Sequence, residues 1–181
     1  MRLFIAVFPP SQIQRTVHAA VAPLRAPGDG VSWVQPENLH FTMRFLGEAD
    51  DTQRSRAVEA MRTAASAHTR FGAAIGGFGA FPTAKRARVL WLGLLQGAEG
   101  MRLLSESLEQ ALARAGFDPP EDSFEPHLTV GRVRTEADWT ARLIEATTPE
   151  ARFQVDRMVL VSSTLAKGGS VYEPLAEAPL G

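Results

Sequence analysis

The sequence predicts an α+β fold built on largely antiparallel sheet, and three observations carry that prediction. Short apolar runs that read as strands alternate with stretches of helical periodicity, without the strict strand, helix, strand rhythm of a doubly wound sheet. Two pairs of these runs are joined by short turn-forming segments, the pattern of antiparallel hairpins. No linker, charge run or low-complexity segment divides the 181 residues, so one domain is expected, with a hint of internal duplication.

Composition sets the limits. With 45% apolar and 22% charged residues the chain can bury a core and is not compositionally disordered. Its formal net charge of −1 offers no global attraction to a polyanion, so any nucleic-acid contact must come from a local patch. Cysteine is absent, which removes disulfides, Cys-ligated metals and thiol nucleophiles together. The apolar run from Leu3 to Phe8 meets Pro9 and Pro10 and is too short for a secretory signal core. Val89 to Leu95 is far short of a membrane span, and a soluble cytoplasmic protein is expected.

The elements follow in order. Residues 3–8 are apolar on both faces and read as a central strand. Ser11 with Gln14 has capping-box spacing, and Ile13, Val17, Val21 and Leu24 extend a helix over residues 11–24 to Pro27. Strands are expected at 31–34 and 39–46, the second ending at Gly47, then a helix at 52–68. Asp50 and Asp51 read as caps or solvent-facing charges. Residues 71–81 and 88–95 form a long hairpin with a basic tip. Met101, Leu104, Leu108 and Leu112 mark a third helix with Gly116 at its end. A strand at 127–133, a weak fourth helix at 136–146 and a hairpin of 155–165 with 171–175 complete the chain.

The chain has four histidines, and two of them open the same pattern: His40-Phe41-Thr42-Met43 and His127-Leu128-Thr129-Val130. On a strand, residues i and i+2 share one face. Each motif therefore sets an imidazole and a hydroxyl on one side and two apolar anchors on the other. Two imidazoles at one site supply a base and an acid near neutral pH. Two hydroxyls suit the non-bridging oxygens of a phosphodiester. The pattern fits metal-free phosphoryl chemistry, since neither motif has a carboxylate or second histidine at ligand spacing. His18 and His68 lack the motif and are expected to be solvated or capping. Trp33 and Trp91 lie in apolar strands and read as core. Gly76-Gly77-Phe78-Gly79 precedes a strand rather than a helix, so it is no dinucleotide fingerprint, and no Gly-x-Ser-x-Gly elbow occurs.

The stretches Arg2 to Ala6, Asn38 to Glu48, Val89 to Gly93, Pro126 to Arg132 and Tyr172 to Leu175 closely resemble the RNA 2′,3′-cyclic phosphodiesterases. These are also called 2′-5′ RNA ligases and belong to the 2H phosphoesterases. The resemblance spans nearly the whole chain. It implies a bilobed α+β fold in which two pseudo-symmetric, intertwined lobes line a central cleft, with helices packed outside. It also implies hydrolysis of RNA 2′,3′-cyclic phosphate ends to 2′-phosphates, without cofactor, metal or obligate protein partner. His40 is then the proton donor to the departing 3′ oxygen and His127 the proton acceptor that activates water. Thr42 and Thr129 hold the phosphate. The same chemistry run toward an RNA 5′-hydroxyl gives a 2′-5′ linkage without ATP, and the alternative is a non-catalytic RNA-end binding protein.

The resemblance also points to Arg132, a basic residue just after the second motif, as a phosphate ligand. On an ideal strand Arg132 would face away from His127 unless Gly131 introduces a bulge. Arg44 has the correct parity with His40 and Thr42 and is a candidate RNA contact. Lys85, Arg86 and Arg88, near Phe78 and Phe81, are further candidates for RNA contact.

Overall fold

A computed structural model describes all 181 residues. The chain runs β1 (Arg2–Val7), α1 (Ser11–Val21), β2 (Val31–Trp33), β3 (Phe41–Glu48), α2 (Asp51–Ser66), β4 (Phe71–Thr83), β5 (Arg86–Gln96) and α3 (Ala98–Arg114). It continues through β6 (Leu128–Ala137), α4 (Thr140–Glu145), β7 (Ala151–Val155), β8 (Arg157–Ala166) and β9 (Gly169–Pro179). The strands form one nine-stranded sheet of order β7-β4-β5-β6-β3-β1-β8-β9, with β2 paired to β6, and every ladder is antiparallel. The α+β class read from the sequence is the class observed.

The sheet narrows at its middle. Between β3 and β6 the only paired residues are Phe41 and Leu128, while β4 with β5 and β8 with β9 pair along most of their length. One half of the sheet, β3-β1-β8-β9, comes from both ends of the chain. The other, β7-β4-β5-β6, comes from its middle.

Burial explains why β1 is apolar throughout. Leu3, Ile5 and Val7 enter the main core, while Phe4 and Ala6 pack on the opposite face with Val159 and Val161 of β8. Two covered faces leave no position for a polar side chain. The main core collects Val17 of α1, Met61 of α2 and Leu104, Leu108 and Leu112 of α3 against the inner faces of both halves. No helix is long and apolar enough to cross a membrane.

Several local expectations are corrected. The Ser11 and Gln14 capping box does not form: Pro10 occupies the N-cap, and no side chain caps the helix. The Gln14 amide instead donates to the Leu39 carbonyl at 2.9 Å and the Glu37 carbonyl at 3.4 Å. A capping box does start α2, from Asp50 and Gln53. The fourth helix is only Thr140–Glu145, because Glu136 and Ala137 continue β6. Strand β7 was not expected as an element of its own, although Ala151 to Val155 alternates strictly between buried and exposed. Asp156 alone separates it from β8.

Candidate active site

The Phe41 and Leu128 pair positions the site. These are the middle residues of the two His-x-Thr motifs, and both are fully buried. Since neighbours on a strand alternate faces, driving both anchors into the core turns His40, Thr42, His127 and Thr129 to the opposite, concave side. Antiparallel pairing sets His40 across from Thr129, and Thr42 across from His127.

Each imidazole is held by the same device. His40 Nδ1 lies 2.7 Å from the Asn38 carbonyl, and His127 Nδ1 lies 2.7 Å from the Glu125 carbonyl. A carbonyl only accepts, so Nδ1 carries the hydrogen and Nε2 is left for chemistry in both rings. His40 Nε2 is 3.0 Å from the Thr42 hydroxyl. The segment before His40 is fixed in turn by the Gln14 bonds and by Asn38, whose amide donates to the Ser170 carbonyl at 3.0 Å.

The two environments differ. His40 is enclosed by Phe4, Phe8 and Tyr172, with ring centroids 5.0, 5.3 and 5.4 Å away. Loss of hydration, aided by the charges of Arg132 and His127, pushes its pKa down to about 4 against the opposing pull of the Asn38 carbonyl. His127 has Phe81 edge-on at 4.9 Å and Trp91 at 6.3 Å. Trp91, expected in the core, is half-buried on the cleft side, and the near approach of its ring to Gly79 leaves no room there for a Cβ.

Two bulges decide the arginines. Along β5 and β6, Leu90 pairs with Gly131 but Trp91 with Thr129, so Val130 is an extra residue. Val89 pairs with Arg132, which brings Arg132 onto the Thr129 face, as the sequence required of a bulge near Gly131. Glycine is needed there because a Cβ would meet Val31 at 2.8 Å and Trp33 at 3.0 Å. Along β1 and β3, Ile5 pairs with Arg44 but Ala6 with Thr42, so Met43 is the extra residue. That bulge reverses the parity expected of Arg44. It lies on the buried face, its side chain only 10% exposed, paired with Glu109 of α3 and donating to the Asp118 carbonyl. Phe45 takes its place on the cleft side, 62% exposed and 6.1 Å from Phe4.

The bulges fall at the same point in both motifs, so Phe45 and Arg132 occupy matching positions, each five residues after its histidine. Aligning the motifs on their histidines could have revealed this pairing. The two carbonyl clamps and the aromatic enclosure of His40 had no motif to mark them.

The remaining candidates separate from this centre. Arg86 and Arg88 both engage Glu136 of β6, at 2.7 and 3.5 Å, and Lys85 sits at the hairpin turn. His18 contacts the Arg25 guanidinium, and His68 Nε2 lies 2.7 Å from the Ser107 hydroxyl. Trp33 packs against Trp139 and donates from its indole to Asp29 at 3.0 Å.

Residues 9–166 match the profile of the 2′-5′ RNA ligase superfamily. The chain belongs to that superfamily. Among its relatives, RNA 2′,3′-cyclic phosphodiesterase of Thermotoga maritima is 34% identical over 178 residues, covering 98% of this chain and 94% of the relative. That of Archaeoglobus fulgidus is 34% identical over 177 residues, covering 97% and 98%. A crystal structure from Thermus thermophilus superposes with TM-score 0.85 at 28% identity, covering 99% of this chain and 98% of the other. Escherichia coli LigT complexed with 3′-AMP superposes with TM-score 0.82 at 26% identity, covering 99% and 97%. The family resemblance read from the sequence and the 2H phosphoesterase fold class therefore both hold.

Unliganded His40 is neutral at pH 7, and an anionic phosphate beside Nε2 raises its pKa. Binding of adenosine 2′-phosphate at pH 7 is expected to take up a proton, measured by calorimetry in buffers of different ionisation enthalpy. Uptake should fade as the pH falls toward 4, where the free protein already holds the proton. Binding without proton exchange at pH 7 would argue against a phosphate seated beside His40 Nε2.

Proposed function

We propose that this protein hydrolyses 2′,3′-cyclic phosphates at RNA ends to 2′-phosphomonoesters, with His40 as proton donor and His127 as proton acceptor. The observation that carries this reading is the pair of imidazoles on either side of the Phe41 and Leu128 pair, each clamped at Nδ1 by a backbone carbonyl, with Nε2 of His40 resting against the Thr42 hydroxyl. The relatives named RNA 2′,3′-cyclic phosphodiesterase support the substrate.

His127 Nε2 takes a proton from water as the new oxygen–phosphorus bond forms. The bond from phosphorus to the 3′ oxygen breaks, and His40 Nε2 delivers its proton to that oxygen. The Thr42 and Thr129 hydroxyls donate to the non-bridging oxygens, and the Arg132 guanidinium stabilises the charge that gathers there. Both proton transfers are met by side chains, so the reaction asks for no metal. Phe45 offers an exposed ring to the base of the terminal nucleoside. A 5′-hydroxyl RNA in place of water gives a 2′-5′ linkage by the same steps. The absence of cysteine suits a reducing cytoplasm.

The test is incubation of a defined RNA with a cyclic phosphate end in EDTA, with the product assigned by phosphorus NMR. A 2′-phosphate is expected. A 3′-phosphate would reverse the regiochemistry, and tight binding with unchanged substrate would favour a non-catalytic end-binding protein.

A further inference from the structure

In-line displacement puts the attacking oxygen opposite the departing one. With His40 serving the 3′ oxygen, the nucleoside that carries the cyclic phosphate lies toward the half of the sheet that holds His40. The attacking oxygen then enters from the half that holds His127. The two halves differ in charge in a way that hydrolysis by water does not use.

On the His40 side, a pocket of about 520 Å³ opens beside Phe8, Asn38 and Tyr172. Its charged rim is mainly acidic, with Glu37, Asp156 and Glu177, and its one guanidinium, Arg157, is already bonded to Asp156 and Glu177 at 3.0 Å each. Nothing there favours a run of phosphates.

On the His127 side the charge is reversed. Beyond the Val130 bulge, β6 pairs with β2 in unbroken register from Gly131 to Val133, so Arg134 continues the face that carries Arg132. Both arginines are exposed. Alternate residues on a strand are spaced by roughly 6.6 Å, the scale of one nucleotide step along an extended chain. Glu136 follows beyond a further shift of register against β5, where Arg132 pairs with Val89 but Ala137 with Ala87, and it gathers Arg86 and Arg88 from the neighbouring hairpin, with Lys85 at the turn. Both of these arginines are more than half exposed, so a phosphate can reach them without unburying anything.

We infer that the surface beyond Arg132, lined by Arg134 of β6 and by Arg86 and Arg88 of β5, is a track for a second RNA strand whose 5′-hydroxyl replaces water as the nucleophile. This rests on the assignment of His127 as proton acceptor. The 5′-hydroxyl gives its proton to His127 Nε2 as its oxygen bonds to phosphorus. The bond to the 3′ oxygen breaks, and that oxygen takes the proton of His40 Nε2. One cyclic phosphodiester becomes one 2′-5′ phosphodiester and a 3′-hydroxyl, with no other reactant. Glu136 holds Arg86 and Arg88 while the track is empty and yields them to strand phosphates when it fills.

The test uses a 5′-hydroxyl hexaribonucleotide labelled at its 3′ end, titrated by fluorescence anisotropy against the whole protein in saturating adenosine 2′-phosphate. The Arg86→Ala, Arg134→Ala double variant should bind about tenfold more weakly, and Arg134→Ala alone should reduce the slope of log affinity against log salt by about 1. Glu136→Gln should bind about threefold more tightly, a gain that a damaged fold cannot produce. With a cyclic-phosphate RNA as donor, the ratio of ligation to hydrolysis should move in the same directions. Wild-type hydrolysis of a 2′,3′-cyclic mononucleotide together with unchanged hexanucleotide binding in all three variants would overturn the track alone. Failure of the wild type to hydrolyse the mononucleotide would overturn the reading beneath it.

Discussion

Alanine at either His40 or His127 should lower kcat for cyclic phosphate hydrolysis by about 10²- to 10⁴-fold. The double variant should be little slower than the worse single one, because acid and base act in one displacement and their losses do not add. The two positions need different controls. His40 fills a space bounded by Phe4, Phe8 and Tyr172, so His40→Ala also leaves a cavity, and His40→Gln keeps most of the volume while removing the titrating group. His127 packs against Phe81 and Trp91 near the surface and should be replaceable at little cost in stability. Thermal unfolding of each variant separates the two effects. Activity within a few-fold of wild type in any of these variants, with the fold intact, would remove the paired-imidazole mechanism.

Arg132→Ala should cost about 10²- to 10³-fold in kcat/KM, the scale of deleting one donor aimed at developing charge. Arg132→Lys should recover part of it, since a point charge replaces the fork but not its geometry. A second effect distinguishes a guanidinium beside the reacting phosphate from one that merely attracts RNA. Arg132 is among the charges that hold the His40 pKa down, so its removal lets His40 keep a proton to higher pH. Proton uptake on binding adenosine 2′-phosphate should then be smaller at pH 5 to 6 than in the wild type. A variant that lost only affinity for long RNA, with mononucleotide turnover and proton uptake unchanged, would move Arg132 out of the centre.

The parts of this molecule that follow an alternating or helical period were open to reading from sequence. The apolar faces of β1, β3, α2 and α3 follow from residue spacing, and the His-x-Thr pairs follow from strand parity. What parity could not supply was the place where it breaks. Arg44 and Arg132 stand four and five residues after their histidines, and one bulge in each strand exchanges what an ideal strand would have predicted for them. Gly131 hinted at the second bulge, but Met43 carries no such mark. Gln14 misled for a related reason. Its spacing from Ser11 suits a cap, yet the carbonyls of Glu37 and Leu39 are distant in sequence and become its partners only once the chain has folded. Glu136 likewise reads as helical by composition, whereas its two arginine partners lie on another strand.

The Phe41 and Leu128 pair has a metric consequence. Adjacent strands are spaced by about 4.8 Å in the hydrogen-bonding direction whatever side chains they carry. The gap between the two imidazoles, one strand across and two residues along, is therefore set by backbone instead of by an accumulation of loop conformations. Helices and hairpin tips outside that pair can lengthen, shorten or change composition and leave the working distance as it was. A chain can thus vary its outer surface without having to rebuild the spacing of its two paired histidines.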